Sequence, residues 1–572
     1  MKITKIDIKK FRSIDQCSMC FSDINAVVGQ NNSGKSAVIR ALNAFFNPES
    51  EEHSYIQGKH AYTSKSIPKI AVTFGSLGDK FEPYRDGDVL EVQQTYSSSN
   101  RRISYKYRSE GKFIAAPDEL IQQIKENIAF IYIPPNRNPD QLKWEENALI
   151  KNLVEEYLKA ETHRRDTLTP KFRKAAEYLE NGALKRIAKE VEGYYSLRHT
   201  FNFSLSFNQN SNFMSFLNGI EMHIDELGLD HYLDDCGTGL QSLTIIALHR
   251  VLANLRHQNI ILGLEEPETN LHPQAQRELI NSISRSSDDD DDVAQVILTT
   301  HSTVLIDNID HLNIALVRKV PDSTRGFKSK LLKLPSTFFE DYDLEEFKYY
   351  QFHLYRNSDF FYANHVIFVE SKNDAEVVKV LAERAGIDLD LYGISLINID
   401  GVRNLSYPFH IVKKLEIPYL AILDKDYFIP YLNDELNLSR DGQGLPKYRY
   451  EYKSGIILKE LIPAKSDRDT ILSCMKSNHS KALDVFEKNN LVCMKYNLEM
   501  DLLCSDKAVE KMSELLSLTD QQSNRQFILE ERNKAAKKLD KMLDTLRELS
   551  NQNLPNSYKR IKKLVTAIAS SC

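Results

Sequence analysis

Short apolar runs separated by turns fill the first 115 residues: KITKIDIKKF, KIAVTF and VLEVQQTYS each have strand length and strand composition. INAVVG is a continuous apolar run and predicts a buried strand. The KSAVIRALNAFF that follows carries apolar residues at helical spacing. IAFIYIPPNRNP predicts a strand that Pro134 and Pro135 terminate. From 144 to 196 the chain is charge-rich with a helical period, as in ALIKNLVEEYLKA and ALKRIAKEVEGYYSL, which predicts a helical insertion. FNFSLSFNQNSNFMSFLNGIEMHIDE returns to strands, TGLQSLTIIALHRVLANL predicts a helix, and NIILGLEEPE and AQVILTTHS predict buried strands. Near 335–360 the pattern turns aromatic and acidic, which marks a boundary. Beyond it, VIFVE, SLINIDG and YLAILDKD alternate with helical stretches, a βαβαβ order that predicts a parallel sheet. The reading is an α/β chain divided at 1–143, 144–200, 201–345 and 346–572.

Composition changes this picture little. The 572 residues exceed one domain, and 42% hydrophobic with 27% charged residues suits ordinary globular cores. A net charge of −6 gives no global pull towards nucleic acid, so any such contact must be local. No apolar run approaches membrane-spanning length, and MKITKIDIKKFRSI lacks a signal-peptide core, so the expected location is cytoplasmic with no membrane partner. The seven cysteines are scattered and odd in number, which makes no disulfide framework. Cys17 and Cys20 resemble half a zinc site, but the surrounding stretch reads as extended and there is no second pair. The Asp run at 288–292 reads as a solvated loop.

Chemistry enters with VVGQNNSGKSAVIRAL. Gly29, Gly34, Lys35 and Ser36 stand in G-x-x-x-x-G-K-S spacing, with Asn32 in the loop between. Glycines let backbone N–H groups turn inward towards phosphate oxygens. Lys35 would offset β/γ-phosphate charge, and the Ser36 hydroxyl would hold Mg²⁺. A strand before and a helix after complete the context, so ATP is the expected ligand. Further along, GTGLQSL opens a helix and offers N–H groups and a polar side chain to a γ-phosphate held by another subunit. The strand of IILGLEEPE delivers Glu265 and Glu266 to a sheet edge, PETNLHP follows, and VILTTHS puts His301 at another strand end.

This order resembles the ABC-type ATPase heads of the SMC and RecF group. By that resemblance Gly237, Gly239 and Gln241 match the signature motif. Glu265 takes the metal position where Asp is commoner, Glu266 activates water, and His301 is the switch histidine. Heads of this kind hydrolyse ATP only when two face each other, so the resemblance implies a homodimer or a higher assembly of dimers, with the 144–196 helices as a dimerisation surface.

In the second half, Glu370 ends one strand, Asp374 opens a helix, and Asp424 and Asp426 end another strand. Carboxylates gathered at strand C-terminal ends bind hard divalent cations. Asp-x-Asp on an extended ending would place both side chains on one side. A two-metal site for phosphodiester cleavage is the expectation, with Mg²⁺ or Mn²⁺. The pattern resembles the Toprim domain, whose metal residues fall on Glu370, Asp424 and Asp426; the family's usual Gly after the Glu is Ser371 here. An ABC head with a helical insertion followed by Toprim resembles the OLD (overcoming lysogenization defect) family of ATPase-nucleases. That resemblance adds Asp374, Glu499 and Asp501 (from LEMDL) as metal ligands, and a C-terminal lysine that supports the transition state, Lys559, with Lys562 and Lys563 as rivals. It implies a DNA endonuclease of bacterial antiviral defence. Such proteins act alone, beside a UvrD-like helicase as in Gabija systems, or with a retron reverse transcriptase and its RNA–DNA product. The alternative is a non-catalytic ABC-type clamp or sensor subunit of a repair or defence complex. Candidate DNA contacts are Asn100–Arg108 and the cluster Lys534, Lys537, Lys538 and Lys541.

Overall fold

The computed structural model describes residues 1–97, 102–135, 153, 178–195, 201–207, 220–226, 228–255, 259–288, 293–344, 358–401, 404–530 and 538–571. The chain divides into two compact units, Met1–Pro335 and Ser336–Cys572. Most of the 144–196 insertion lies outside the described residues; within them, Lys185–Tyr194 is a helix.

The strands of the first unit, in chain order, are β1 (Lys2–Phe11), β2 (Ile14–Cys20), β3 (Ile24–Val28), β4 (Lys69–Gly75), β5 (Leu90–Ser97), β6 (Arg102–Ser109), β7 (Lys112–Ala115), β8 (Ile128–Ile133), β9 (Phe201–Phe207), β10 (Ile220–Glu226), β11 (Leu229–Tyr232), β12 (Asn259–Glu265), β13 (Val293–Thr299), β14 (Ile314–Asp322) and β15 (Gly326–Lys333). Among the described residues, twelve of them form one sheet in the order β7-β6-β5-β4-β1-β2-β15-β14-β3-β13-β12-β8. β9, β10 and β11 form a separate antiparallel sheet.

The strands that read as continuous apolar runs are the ones buried on both faces. β3 pairs in parallel with β13 (Ala26 opposite Leu298) and with β14 (Val27 opposite Ala315). β12 pairs in parallel with β13 and β8, placing Leu264 opposite both Leu298 and Ile133. Parallel pairing brings the chain segments that follow β3, β12 and β13 to one edge of the sheet. Those segments are the phosphate loop, the Glu265–Glu266 turn and the His301 turn. The helix Lys35–Phe46 packs its apolar residues into the core made by β1, β4 and β5.

Cys17 is buried and Cys20 exposed on β2, so the two thiols do not face a common ligand. The β14–β15 hairpin, which the apolar pattern did not predict, joins the parallel strands to the antiparallel wing through a single β2–β15 pairing, Ile14 with Ser329.

The second unit holds β16 (His365–Val369), β17 (Ile394–Asn398), β18 (Tyr419–Leu423) and β19 (Leu491–Cys493). All pair in parallel in the order β17-β16-β18-β19. Three of these strands match the predicted βαβαβ pattern. β19 was missed because three apolar residues give no readable period. Ile367, Val377 and Leu381 share one core with Tyr558, Ile561 and Val565, so the C-terminal helix Asn556–Ser571 covers the face of this sheet. Among the described residues no helix is long and apolar enough to cross a membrane.

Candidate functional site

The phosphate loop turns on two glycines whose conformations leave no room for a side chain. Gly29 has φ +138°, and a Cβ there would lie 2.2 Å from the Val317 carbonyl oxygen. Gly34 has φ +103° and caps the helix Lys35–Phe46; its Cβ would meet Ser329 Oγ at 2.2 Å. Asn32 is exposed at the tip with φ +58°. Lys35 is buried and donates to the carbonyls of Gly29 and Gln30, both at 3.0 Å. Burial lowers its pKa to about 8 against the opposing pull of Glu266 and Glu268.

Glu265 ends β12 almost fully buried. It accepts the Tyr132 hydroxyl at 3.0 Å and a bond from the Ser36 hydroxyl, with Arg40 Nε 3.7 Å away. Burial raises its pKa, and these donors oppose the rise. Glu266 adopts a left-handed backbone (φ +46°), an uncommon state for a residue with a side chain. Its carboxylate stands 3.7 Å from His301 Nε2. Burial and the charge of Lys35 lower the His301 pKa. Lys35, Ser36, Glu265, Glu266 and His301 therefore gather at one sheet edge.

Sequence reasoning missed Glu268, which accepts the His301 backbone N–H at 2.6 Å and fixes that turn. It also missed Arg40, whose guanidinium lies 4.4 Å from the Tyr132 ring centroid. In the signature stretch, Gly237 is exposed. Gly239 is closed over: a Cβ there would lie 2.5 Å from the Asn270 carbonyl oxygen. Gln241 is buried and donates to the carbonyls of Leu233 and Cys236, so its amide serves its own helix start.

The second site forms on the edge beyond β16 and β18. Glu370 follows β16, and its Oε1 accepts the Asp424 backbone N–H at 2.7 Å. Asp374 closes a capping box with Ser371 at the start of the helix Lys372–Glu383. Ser371 Oγ and backbone N–H both donate to Asp374 Oδ2, at 2.8 and 2.7 Å. Ser371 has φ −142°, extended backbone that any residue adopts, which explains why serine can stand where the Toprim pattern carries glycine.

One expectation is corrected here. Asp424 and Asp426 do not share an extended ending: β18 stops at Leu423, Asp424 caps a short helical turn, and Asp426 lies within Lys425–Phe428. The reason is local. Lys425 N–H goes to the Tyr496 carbonyl instead of continuing a strand ladder, and Tyr427 N–H closes on the Asp424 carbonyl.

Even so, Asp424 feels the charges of Glu370, Asp374, Asp426 and Glu499, so five carboxylates share one region. Burial first, then Asp426 and Asp374, push Glu370 up to about 8, against the Asp424 N–H and Lys453. Burial and Glu370 raise Asp424. Burial lifts Asp374 to about 6 against its Ser371 bonds. Among the described residues no three such side chains are drawn to a single coordinating point.

Asp501 behaves differently from Glu499. It is 1% exposed and accepts the backbone N–H groups of Lys495 and Tyr496, both at 2.8 Å, and a bond from Ser557. Lys559 is exposed on the C-terminal helix and donates to the Gln552 carbonyl at 2.7 Å. Lys562 donates to Asn551 at 3.1 Å, and Lys563 is exposed. The buried neighbour Tyr558 donates to the Leu498 carbonyl at 2.8 Å and ties this helix to the turn that carries Glu499.

The two candidate DNA contacts fare unevenly. Asn100 and Arg101 lie outside the described residues. On β6 the aromatic residues turn inward: Tyr105 donates to the Phe45 carbonyl, and Tyr107 packs on Tyr84. Arg108 pairs with Glu91 at 2.6 Å, leaving Arg102 and Lys106 facing solvent. Lys534 and Lys537 lie outside the described residues; Lys538 is exposed, and Lys541 is 3.7 Å from Asp540.

Comparison with known proteins finds an ATPase domain in the first half of the chain and a TOPRIM domain in the second. The AAA ATPase domain family model matches residues 1–157 and 125–306, more than half of the chain. The model for the TOPRIM domain of overcoming lysogenization defect protein-like sequences matches residues 361–426. An OLD nuclease of Thermus scotoductus is 21% identical over 444 residues, 74% of this chain and 82% of that protein. This chain belongs to the AAA ATPase domain family and carries the TOPRIM domain of overcoming lysogenization defect protein-like sequences. Endonuclease GajA of Bacillus cereus is 27% identical over 180 residues, 29% of this chain and 26% of that protein. An SMC head solved with the C-winged helix domain of ScpA aligns at TM-score 0.41 and 17% identity, over 59% of this chain and 98% of that one. The TOPRIM match contains Glu370, Asp374, Asp424 and Asp426, whereas Glu499, Asp501 and Lys559 lie beyond it.

Proposed function

We propose that this chain is an ATP-binding, divalent-cation-dependent DNA endonuclease of antiviral defence, working as a homodimer or an assembly of dimers. A nuclease with an ATPase domain is the class its relatives define. The observation that carries the reading is the meeting of Glu370, Asp374, Asp424, Asp426 and Glu499 at one sheet edge with the pKa values of Glu370, Asp374 and Asp424 pushed upward. Like charges held together repel unless a cation offsets them. Hard carboxylate oxygens suit Mg²⁺ or Mn²⁺. When bound, such ions polarise water and take up charge on the leaving 3′ oxygen.

The chain's own residues do the rest. Glu370 and Asp424 are locked to each other through a backbone bond and offer oxygens from adjacent strands. Asp374 is aimed by its capping box, and Glu499 joins from the turn after β19. Lys559 is the residue assigned to the charge that develops on the cleaved phosphate. Asp501 is assigned a positioning role, since its oxygens are already occupied by N–H groups.

At the ATPase edge, Lys35 would exchange its two carbonyl bonds for phosphate oxygens, Ser36 and Glu265 would hold the nucleotide's cation, and Glu266 would orient water with His301 beside it. Gly237, exposed ahead of its helix, would be presented to a second subunit's nucleotide. The proposed limits are 1–143, 144–200 as the dimerisation insertion, 201–345 and 346–572; the compact units divide ten residues earlier, between Pro335 and Ser336. Its substrate is DNA, and it would act alone, beside a UvrD-like helicase, or with a retron reverse transcriptase and its RNA–DNA product. Divalent-dependent nicking of supercoiled DNA tests this reading. Its absence in a folded, ATP-binding protein favours a non-catalytic clamp.

A further inference from the structure

The stretch Lys447–Lys453 reads KYRYEYK, in which three tyrosines alternate with three cations and Glu451. Its backbone is fastened to the segment that leaves the acids: Leu432 N–H donates to the Lys447 carbonyl at 2.9 Å, Arg449 N–H to Pro430 at 3.0 Å, and Lys453 N–H to Phe428 at 2.8 Å. Lys425, the residue between Asp424 and Asp426, holds its ammonium 4.5 Å from the Tyr448 ring centroid and 5.9 Å from that of Tyr450. Lys476 approaches Tyr450 from another helix, at 6.0 Å.

The three tyrosines are not equivalent. Tyr448 is 7% exposed and packs on Tyr431 and Tyr496. Tyr452 donates its hydroxyl to the Arg468 carbonyl at 2.6 Å. Tyr450 is 42% exposed. An exposed tyrosine alone needs no explanation. This one is flanked by two ammonium groups, one of which belongs to the residue between two of the acids. Arg449 is engaged by Asp434 and Glu451. Lys447, Lys453 and Lys476 make no ion pair among the described residues, and the charge of Lys453 reaches Glu370.

An aromatic face interleaved with cations is how proteins hold single-stranded nucleic acid: the ring stacks a base of any identity while lysines follow the phosphates. We propose that Tyr450 is a stacking platform for an unpaired base beside the scissile phosphate, with Lys453 and Lys476 on the flanking phosphates. The nuclease then prefers strands that are single-stranded or frayed next to the cut. This rests on the nuclease reading above, which is tested separately.

The test is fluorescence anisotropy in EDTA, where no cleavage occurs, with a labelled single-stranded oligonucleotide and its blunt duplex. Tyr450→Ala weakens single-strand binding about tenfold and leaves duplex binding within about twofold, while Tyr450→Phe keeps both. Lys476→Gln weakens both probes and flattens the salt dependence. Matching thermal midpoints establish that the variants are folded. The proposal is overturned if wild type binds no single strand, if Tyr450→Ala binds it as wild type does, or if both probes lose equally. Wild type that binds but never nicks DNA overturns the nuclease reading and leaves the stacking result standing.

Discussion

Glu370 Oε1 accepts the backbone N–H of Asp424 at 2.7 Å, across the adjacent parallel strands β16 and β18. One acid thus caps the strand end that carries the other. The bond favours ionised Glu370, yet burial and the charges of Asp426 and Asp374 outweigh it and hold the group at about 8. At neutral pH the cation-free site therefore holds protons, which a bound cation would displace.

Asp424→Asn keeps the backbone N–H and removes an acid that burial and Glu370 push away from its ordinary ionisation. The cation-free protein is expected to unfold at a higher temperature, gaining about 1 kcal/mol. Added Mn²⁺ should raise the midpoint of wild type and not of the variant. A lower midpoint without metal would show that the acids are not in conflict. Scanning calorimetry with and without Mn²⁺ reads both.

Lys35→Ala is expected to lose ATP binding by isothermal titration, because the charge facing the phosphates is gone. Glu266→Gln is expected to bind ATP normally and not hydrolyse it, since an amide fills the space but cannot polarise water. Wild-type turnover in Glu266→Gln would move that role to Glu265.

The ATPase unit should be acid-sensitive through Glu51. Burial alone would raise its pKa, but bonds from His60, Arg40 and Asn43 overcome this and hold it at about 2. A depressed folded pKa adds stability above the ordinary carboxylate value of about 4.5, and that stability is lost as pH falls towards 2. The contribution is roughly 3 kcal/mol at neutral pH. Denaturant midpoints should therefore fall more steeply below pH 5 in wild type than in Glu51→Gln. Parallel curves would remove the effect.

Asp501→Asn separates two roles. A group that positions the 495–501 turn and the C-terminal helix through three hydrogen bonds loses about 1–3 kcal/mol of stability when one acceptor becomes a donor. Mn²⁺ affinity of the folded variant is then nearly unchanged. A loss of metal affinity of tenfold or more would make Asp501 a ligand.

What the sequence made legible has a physical cause. Buried parallel strands are continuous apolar runs, so β3, β12, β13, β16 and β18 could be read directly, and the acids at their ends followed. Three things could not be read. The Asp424–Asp426 turn is helical because a carbonyl distant in sequence, that of Tyr496, captures Lys425 N–H. Asp501 and Glu499 sit two apart in one short helix yet face different partners, which spacing alone cannot assign. The aromatic residues of β6 alternate with cations as a nucleic-acid surface would, but they pack half-buried against the core, which the alternation alone does not reveal.

The most direct test is nicking of supercoiled plasmid by wild type and Asp424→Ala, each with Mg²⁺ and with EDTA, after confirming that both bind ATP. The account expects nicking by wild type with Mg²⁺ only, and none by Asp424→Ala. Equal cutting by the two proteins would contradict it, because the acids gathered at the β16–β18 edge would then play no part in cleavage.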